Sequence, residues 1–153
     1  IDSSLGSDFA GEIIEVGSAV KGFSPGMRVL GIGSAALANE VVVSQWQLQP
    51  MRADWSYACA ATYPAVYMTV YLSLHETHRL SRGERILIHA GTGGVGLAAI
   101  SYAKAVGAEI YASAGSERKR AYLRSLGVKR VYDSRSLAFA KELLVDTGGV
   151  GVD

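Results

Sequence analysis

Residues 88–100 read IHAGTGGVGLAAI, with glycines at 91, 93, 94 and 96 between two apolar runs. Each glycine costs roughly 0.5–1 kcal/mol relative to alanine in regular structure. A corner that gathers them therefore has a use for bare backbone. Gly91, Gly93 and Gly96 satisfy G-x-G-x-x-G, and Gly94 adds to it. The motif lies between an apolar strand, 85–90 (RILIHA), and an alanine-rich helix expected from Gly94 to about Val106. In that setting the pattern points to dinucleotide binding. The first glycine permits a tight turn. The middle ones let backbone N–H groups approach a pyrophosphate, and the last lets the helix lie close on the strand, beside small Ala98, Ala99 and Ala103. The helix N-terminus adds partial positive charge toward the phosphates. No Lys-Ser/Thr follows, which excludes the P-loop of ATP and GTP sites. A turn that merely packs a helix on a strand is the plainer reading.

Working outward, the texture repeats. A second strand is expected over 108–114 (AEIYASA). Ser116 is placed to cap a helix that ends at 125–127 (SLG), with Gly127 as its stop. A third strand follows over 129–134 (KRVYDS). Ser136 is then placed to cap a helix over 137–147, stopped by Gly148 and Gly149. This βαβαβα order predicts an α/β fold with a doubly wound parallel sheet. About half of a six-stranded nucleotide-binding sheet is accounted for, and a fourth strand is expected to begin at the closing GGVGVD. Before it, 55–80 is helical, as a short helix ahead of Pro64 and a longer one after it. Residues 1–54 read as an all-β segment, with strands in 9–17 (FAGEIIEVG), 23–31 (FSPGMRVLG) and 39–46 (NEVVVSQW).

Composition narrows the classes. Apolar residues are 49% and charged residues 19%, a globular rather than a disordered balance. Net charge is +1, so no basic surplus argues for nucleic acid. Apolar runs are too short for a membrane span, and no signal-peptide pattern is present. The chain opens on Ile1 without an initiator methionine and is expected to be a piece of something longer. The single cysteine, Cys59, fits a reducing, cytoplasmic compartment, and its apolar setting (YACAAT) predicts a buried, inert thiol. With one cysteine and three histidines, His75, His78 and His89, the chain cannot supply a Cys₄ or Cys₂His zinc site. HETH at 75–78 misses the i,i+4 spacing of H-E-x-x-H. No metal ligands are assigned. His89, beside the glycine corner, either lines the site or is a packed, hydrogen-bonded residue.

The end of the second strand bears on which dinucleotide binds. A site for NAD usually has an acid about 20 residues past the glycines, on the ribose 2′-hydroxyl. Here 111–120 reads YASAGSERKR, and the first acid, Glu117, falls inside the next helix. Ser116, Arg118, Lys119 and Arg120 fill the region instead. Cations and donors suit a 2′-phosphate, which predicts NADP(H). A solvated helix face is the alternative for at least one of the cations.

Four stretches carry a family resemblance: 5–31 (LGSDFAGEIIEVGSAVKGFSPGMRVLG), 60–100 (AATYPAVYMTVYLSLHETHRLSRGERILIHAGTGGVGLAAI), 113–127 (SAGSERKRAYLRSLG) and 146–153 (DTGGVGVD). The chain resembles the medium-chain dehydrogenase/reductase superfamily. More closely it resembles the enoyl reductase domain of modular polyketide synthases and animal-type fatty acid synthases. The resemblance implies part of a GroES-like substrate domain over 1–54 and a partial Rossmann NADP-binding domain over 55–153. It implies NADPH-dependent reduction of an α,β-unsaturated acyl thioester on the phosphopantetheine arm of an acyl carrier protein. Flanking synthase domains and a homodimeric parent go with it.

By the same resemblance Gly91, Thr92, Gly93, Gly94, Val95 and Gly96 hold the pyrophosphate. Ser116 and Lys119, with Arg135, reach the 2′-phosphate, and Thr69 lies near the nicotinamide amide. Zinc-containing relatives carry a His-Glu pair where this chain has Ser7-Asp8. The chain departs from the family at Tyr63-Pro64, usually Val-Pro, and at Thr69-Val70-Tyr71, usually Thr-Ala-Tyr. Both changes add bulk. The family's proton donors, a lysine and an aspartate, are expected beyond Asp153, and a tyrosine that matters for stereochemistry before Ile1. No catalytic residue is assigned, Tyr67 and His89 included, and the piece alone is expected to reduce nothing. Rival readings are a free-standing zinc-free quinone oxidoreductase and an NADP-binding scaffold that no longer catalyses.

Overall fold

In the computed structural model, which describes residues 5–153, the chain divides between Met68 and Thr69 into two units. The first holds three antiparallel strands in the order β1-β2-β3: β1 (Asp8–Glu12), β2 (Arg28–Ile32) and β3 (Leu48–Pro50). Phe9 lies opposite Gly31, and Gly31 opposite Leu48. A Cβ on Gly31 would stand 2.5 Å from the Gln47 carbonyl and 2.8 Å from the Phe9 ring, so only glycine lets the three strands close here. Arg28 ties β2 to the segment after β3. Its guanidinium donates to the carbonyls of Ala53 (3.2 Å) and Trp55 (2.6 Å) and lies over the Tyr57 ring.

The strand expected over 39–46 does not form. Ser44 accepts from the Trp46 N–H, while the Gln47 side chain accepts from the Ser44 N–H (3.0 Å). This reciprocal cap starts a short 3-10 turn, Gln45–Gln47, and pairing with β2 begins only at Leu48. Local capping overrides the β-branched run, and Val42 is left fully exposed. Two helices come next, α1 (Tyr57–Ala60) and α2 (Pro64–Val70), on either side of the break that Pro64 imposes. Cys59 is exposed rather than buried, because the four-residue α1 turns Ala60 inward instead.

Past α2 the helix widens. From Tyr71 to Thr77 it is a π-helix, with the His78 N–H reaching the Ser73 carbonyl five residues back (3.0 Å). The Thr77 hydroxyl likewise donates to the Leu72 carbonyl (2.7 Å). An ordinary helix is what the sequence pattern predicts here. Side-chain hydroxyls competing for the carbonyls favour the wider turn.

The second unit is a three-stranded parallel sheet in the order β4-β5-β6: β4 (Arg85–Ile88), β5 (Glu109–Ala114) and β6 (Arg130–Asp133). The crossovers are α3 (Gly94–Val106) and α4 (Glu117–Ser125), and α5 (Ala138–Asp146) comes after β6. The fold is thus α/β, a partial Rossmann sheet preceded in the chain by a small β unit. Side chains on β5 alternate between the faces. Tyr111 joins Tyr132 and Leu143 in one buried cluster, with Leu87 and Phe139 against it. Ala112 faces the other way, near Leu123 of α4. Burial and a hydrogen bond to Asp146 (2.8 Å) push the Tyr132 phenol far above its ordinary pKa. Ser136 lies one residue outside the cap position of α5, yet its hydroxyl still accepts the Ala138 N–H (3.1 Å). The closing residues reach β4 on the edge that β5 leaves open. Asp153 donates its N–H to the Arg85 carbonyl (3.0 Å), and its carboxylate accepts the Arg85 N–H (2.8 Å).

Candidate functional site

The corner after β4 is built from backbone. Ala90 carries the left-handed conformation of the turn (φ 49°), and the glycines after it do not. Their use is close approach. A Cβ on Gly96 would stand 2.6 Å from the Ala90 carbonyl oxygen and 2.8 Å from the Gly91 Cα. A Cβ on Gly91 would stand 3.1 Å from Leu123 and 3.3 Å from Ala112. The Gly91 N–H donates to the Ser113 carbonyl (3.0 Å), and the Gly93 N–H to that of Ala90 (2.8 Å). Gly93 is the N-cap of α3 and has no side chain to cap it, so the first helical bond runs from Leu97 to Gly93. The N–H groups of Gly94, Val95 and Gly96 precede that bond. An anion fits such a helix start: its first N–H groups have no intrahelical partner, the cap residue carries no side chain, and the helix end is partially positive.

The corner after β5 is built from side chains. Ser116 caps α4, accepting the Lys119 N–H (3.4 Å). Thr92, Ser116, Arg118, Lys119 and Tyr122 line one groove of ≈ 590 Å³. The glycine corner and the start of α4 therefore meet in a single space within the second unit.

The cations there are not alike. Arg120 is committed: it bonds the Ala114 carbonyl (3.1 Å), Glu117 (3.0 Å) and Asp133 (3.1 Å). Arg118 and Lys119 form no ion pair among the described residues. Glu117 is held by Arg124 and Arg120, which keep its carboxyl below the ordinary carboxylate range. The nearest acid is thus engaged by its own helix, and the groove keeps free positive charge.

Of the other residues singled out by sequence, Arg135 packs against Gly115, its Nε 3.0 Å from where a Cβ would be. That is one residue before Ser116, outside the groove wall. Thr69 lies in α2, exposed, with its carbonyl accepting the Ser73 hydroxyl (2.7 Å), and is not part of the groove. His89 is hydrogen-bonded through Nδ1 to the Ser113 hydroxyl (2.7 Å) and meets the Phe139 ring edge-on. Tyr67 is exposed on the first unit and stacks on Tyr63, whose other neighbour is Trp55.

Two contributors are not evident from sequence. Ser113, fully buried, holds Gly91 by its carbonyl and His89 by its hydroxyl. A lone serine among the buried residues 111–114 is the signal that points to it. Asp8 accepts the Ala65 N–H (3.0 Å) at the start of α2. Its carboxylate thus serves a helix end. Among the described residues no three His, Cys, Asp or Glu side chains gather as a metal site would need. No helix among them is long and apolar enough to cross a membrane.

Comparison with known proteins agrees with this architecture. Residues 1–63 match the alcohol dehydrogenase GroES-like domain family, and 94–153 match the family described as zinc-binding dehydrogenase. The mycocerosic acid synthase-like polyketide synthase of Mycolicibacterium smegmatis is 45% identical over 150 residues, 97% of this chain and 7% of its own length. The CurK enoyl reductase structure superposes with a TM-score of 0.94 at 38% identity, covering 98% of this chain and 45% of that one. The nucleotide-binding subdomain of the PpsC enoyl reductase domain from Mycobacterium tuberculosis is 58% identical over 57% of this chain and 49% of its own, with a TM-score of 0.56. The chain spans about 7% of the length of the curated relatives it matches. It belongs to the medium-chain dehydrogenase/reductase family. Within that class it groups with the enoyl reductase domains of polyketide synthases.

Proposed function

We propose that this chain forms part of an NADPH-dependent enoyl reductase that acts in polyketide or fatty acid synthesis. Its substrate is an enoyl thioester on the phosphopantetheine arm of an acyl carrier protein. Neighbouring synthase domains, a homodimeric parent and a cytoplasmic setting belong to the same reading. The observation that carries it is the junction of an uncapped glycine cradle with a groove holding two unpaired cations.

In this account the N–H groups of Gly94, Val95 and Gly96, beside Thr92, take the pyrophosphate. Ser116 and Lys119 take the 2′-phosphate, with Arg118 adding charge and Arg135 closing from the Gly115 side. Thr69 contacts the nicotinamide amide. A dinucleotide held there would supply the hydride for reduction of the α,β-double bond. A proton then reaches the α-carbon, and the thioester carbonyl needs only hydrogen-bond polarisation. The chain's own share is to hold and orient the cofactor. None of its residues is assigned to deliver the proton.

Titrating the chain with NADPH and NADH side by side tests the cofactor assignment. At least tenfold tighter binding of NADPH is expected, and equal affinities would refute it. With NADPH and a crotonyl thioester, the chain alone is expected to show no loss of nicotinamide absorbance.

A further inference from the structure

One wall of the groove takes no part in the contacts proposed for the cofactor. Tyr122 lies on α4, three residues after Lys119 and four after Arg118, so all three side chains share a helix face. Its ring lines the same groove as Thr92 and Ser116, and the residue is 49% exposed. Its backbone carbonyl is engaged by Ser125 and Leu126, yet its phenol hydroxyl bonds no side chain or carbonyl among the described residues. By contrast, the hydroxyls of Tyr111 and Tyr132 in the same unit each donate to a carboxylate. An exposed phenol beside two unpaired cations and a cap serine is a neutral donor facing a positive groove. Such a set fits a phosphate monoester, whose several oxygens accept from more than one donor.

We propose that the Tyr122 hydroxyl is a further phosphate-binding group, donating to the 2′-phosphate of the dinucleotide alongside Ser116 and Lys119. The proposal rests on the NADPH reading. Tyr122 adds to the preference for phosphorylated over plain ribose that Ser116 and Lys119 give, and the cradle at Gly94–Gly96 is indifferent to it. A phenol also discriminates in a way a lysine does not, because it donates along one direction and adds no charge. Its contribution is accordingly less sensitive to salt than that of Lys119.

The test is Tyr122→Phe in the full chain, which keeps the ring and removes only the oxygen from an exposed position. Equilibrium titrations use NADPH, NADH and 2′,5′-ADP, each at low and high salt. Binding of NADPH and 2′,5′-ADP is expected to weaken about 5- to 20-fold, with NADH within twofold of the parent. Tyr122→Ala should lose at least as much. If the parent prefers NADPH and Tyr122→Phe leaves both phosphorylated ligands within twofold, the inference is wrong and the cofactor reading stands. If the parent itself does not distinguish NADPH from NADH, both fail together. If Tyr122→Phe weakens NADH equally, the ring environment rather than the hydroxyl is responsible, and the inference is again overturned.

Discussion

In the proposed function the two corners at the strand ends of the parallel sheet do similar work by opposite means. At Gly91, Gly93 and Gly96 the backbone approaches its neighbours too closely to admit a Cβ, and the amides that open α3 are left without intrahelical partners. At 115–122 it supplies side chains, and what matters is which of them remain unpaired. Geometry governs the first corner and charge accounting the second. The first should therefore tolerate almost no substitution, whereas the second should lose affinity in graded steps.

Gly96→Val breaks the comparison hardest. Its side chain would collide with the Ala90 carbonyl and the Gly91 backbone. Forcing atoms into such a contact costs about 1–3 kcal/mol or more. Loss of NADPH and NADH binding alike, by a hundredfold or more, with a lowered melting temperature, is the expected outcome. Equal affinity to the parent would mean that the corner does not hold the ligand. Leu123→Ala comes next. Leu123 is fully buried and lies against the Gly91 position. Urea denaturation should show a loss of about 2–5 kcal/mol.

At the other corner the effects are smaller and selective. Lys119→Ala should weaken NADPH about tenfold, as loss of one charge-assisted contact of ~1.4 kcal/mol implies, and should spare NADH. Arg120→Ala should do the reverse in kind. Because Arg120 bridges Glu117, Asp133 and the Ala114 carbonyl, its removal should lower the melting temperature and leave the NADPH-to-NADH ratio unchanged. A shifted ratio would show that Arg120 reaches the ligand. The smallest effect concerns pH. Glu117 titrates below its ordinary value in the folded chain, so its contribution is present above about 4.5 and is lost as pH falls through the folded value. A melting curve followed from pH 6 to 3 should show a slightly shallower decline for Glu117→Gln.

The contrast also explains what could be read in advance. The glycine corner is legible because a missing side chain is visible as a letter, and α3 begins and ends where Gly94 and Gly107 place it. The Ser116 cap and the Gly127 stop are legible for the same local reason. Pairing is only partly local. Arg120 alone stands three residues after Glu117, a spacing visible in SERKR, but its second acid, Asp133, arrives only with β6. Ser113 and Asp8 gain their roles from partners 24 and 57 residues distant in sequence. The run at 39–46 misled because its β-branched residues meet no partner strand, and the cap at Ser44 decided the local conformation instead. At Ala90, which takes φ 49° amid glycines, the strained position fell on the one small residue that is not glycine.

In the proposed function, bare amides of the α3 N-terminus and the start of α4 grip one ligand together. Amide-resolved NMR of the chain during NADPH addition tests it most directly. The N–H signals of Gly94, Val95 and Gly96 and those of Ser116–Lys119 are expected to shift in concert, along one saturation curve. Saturating NADPH that leaves either group unmoved would contradict it.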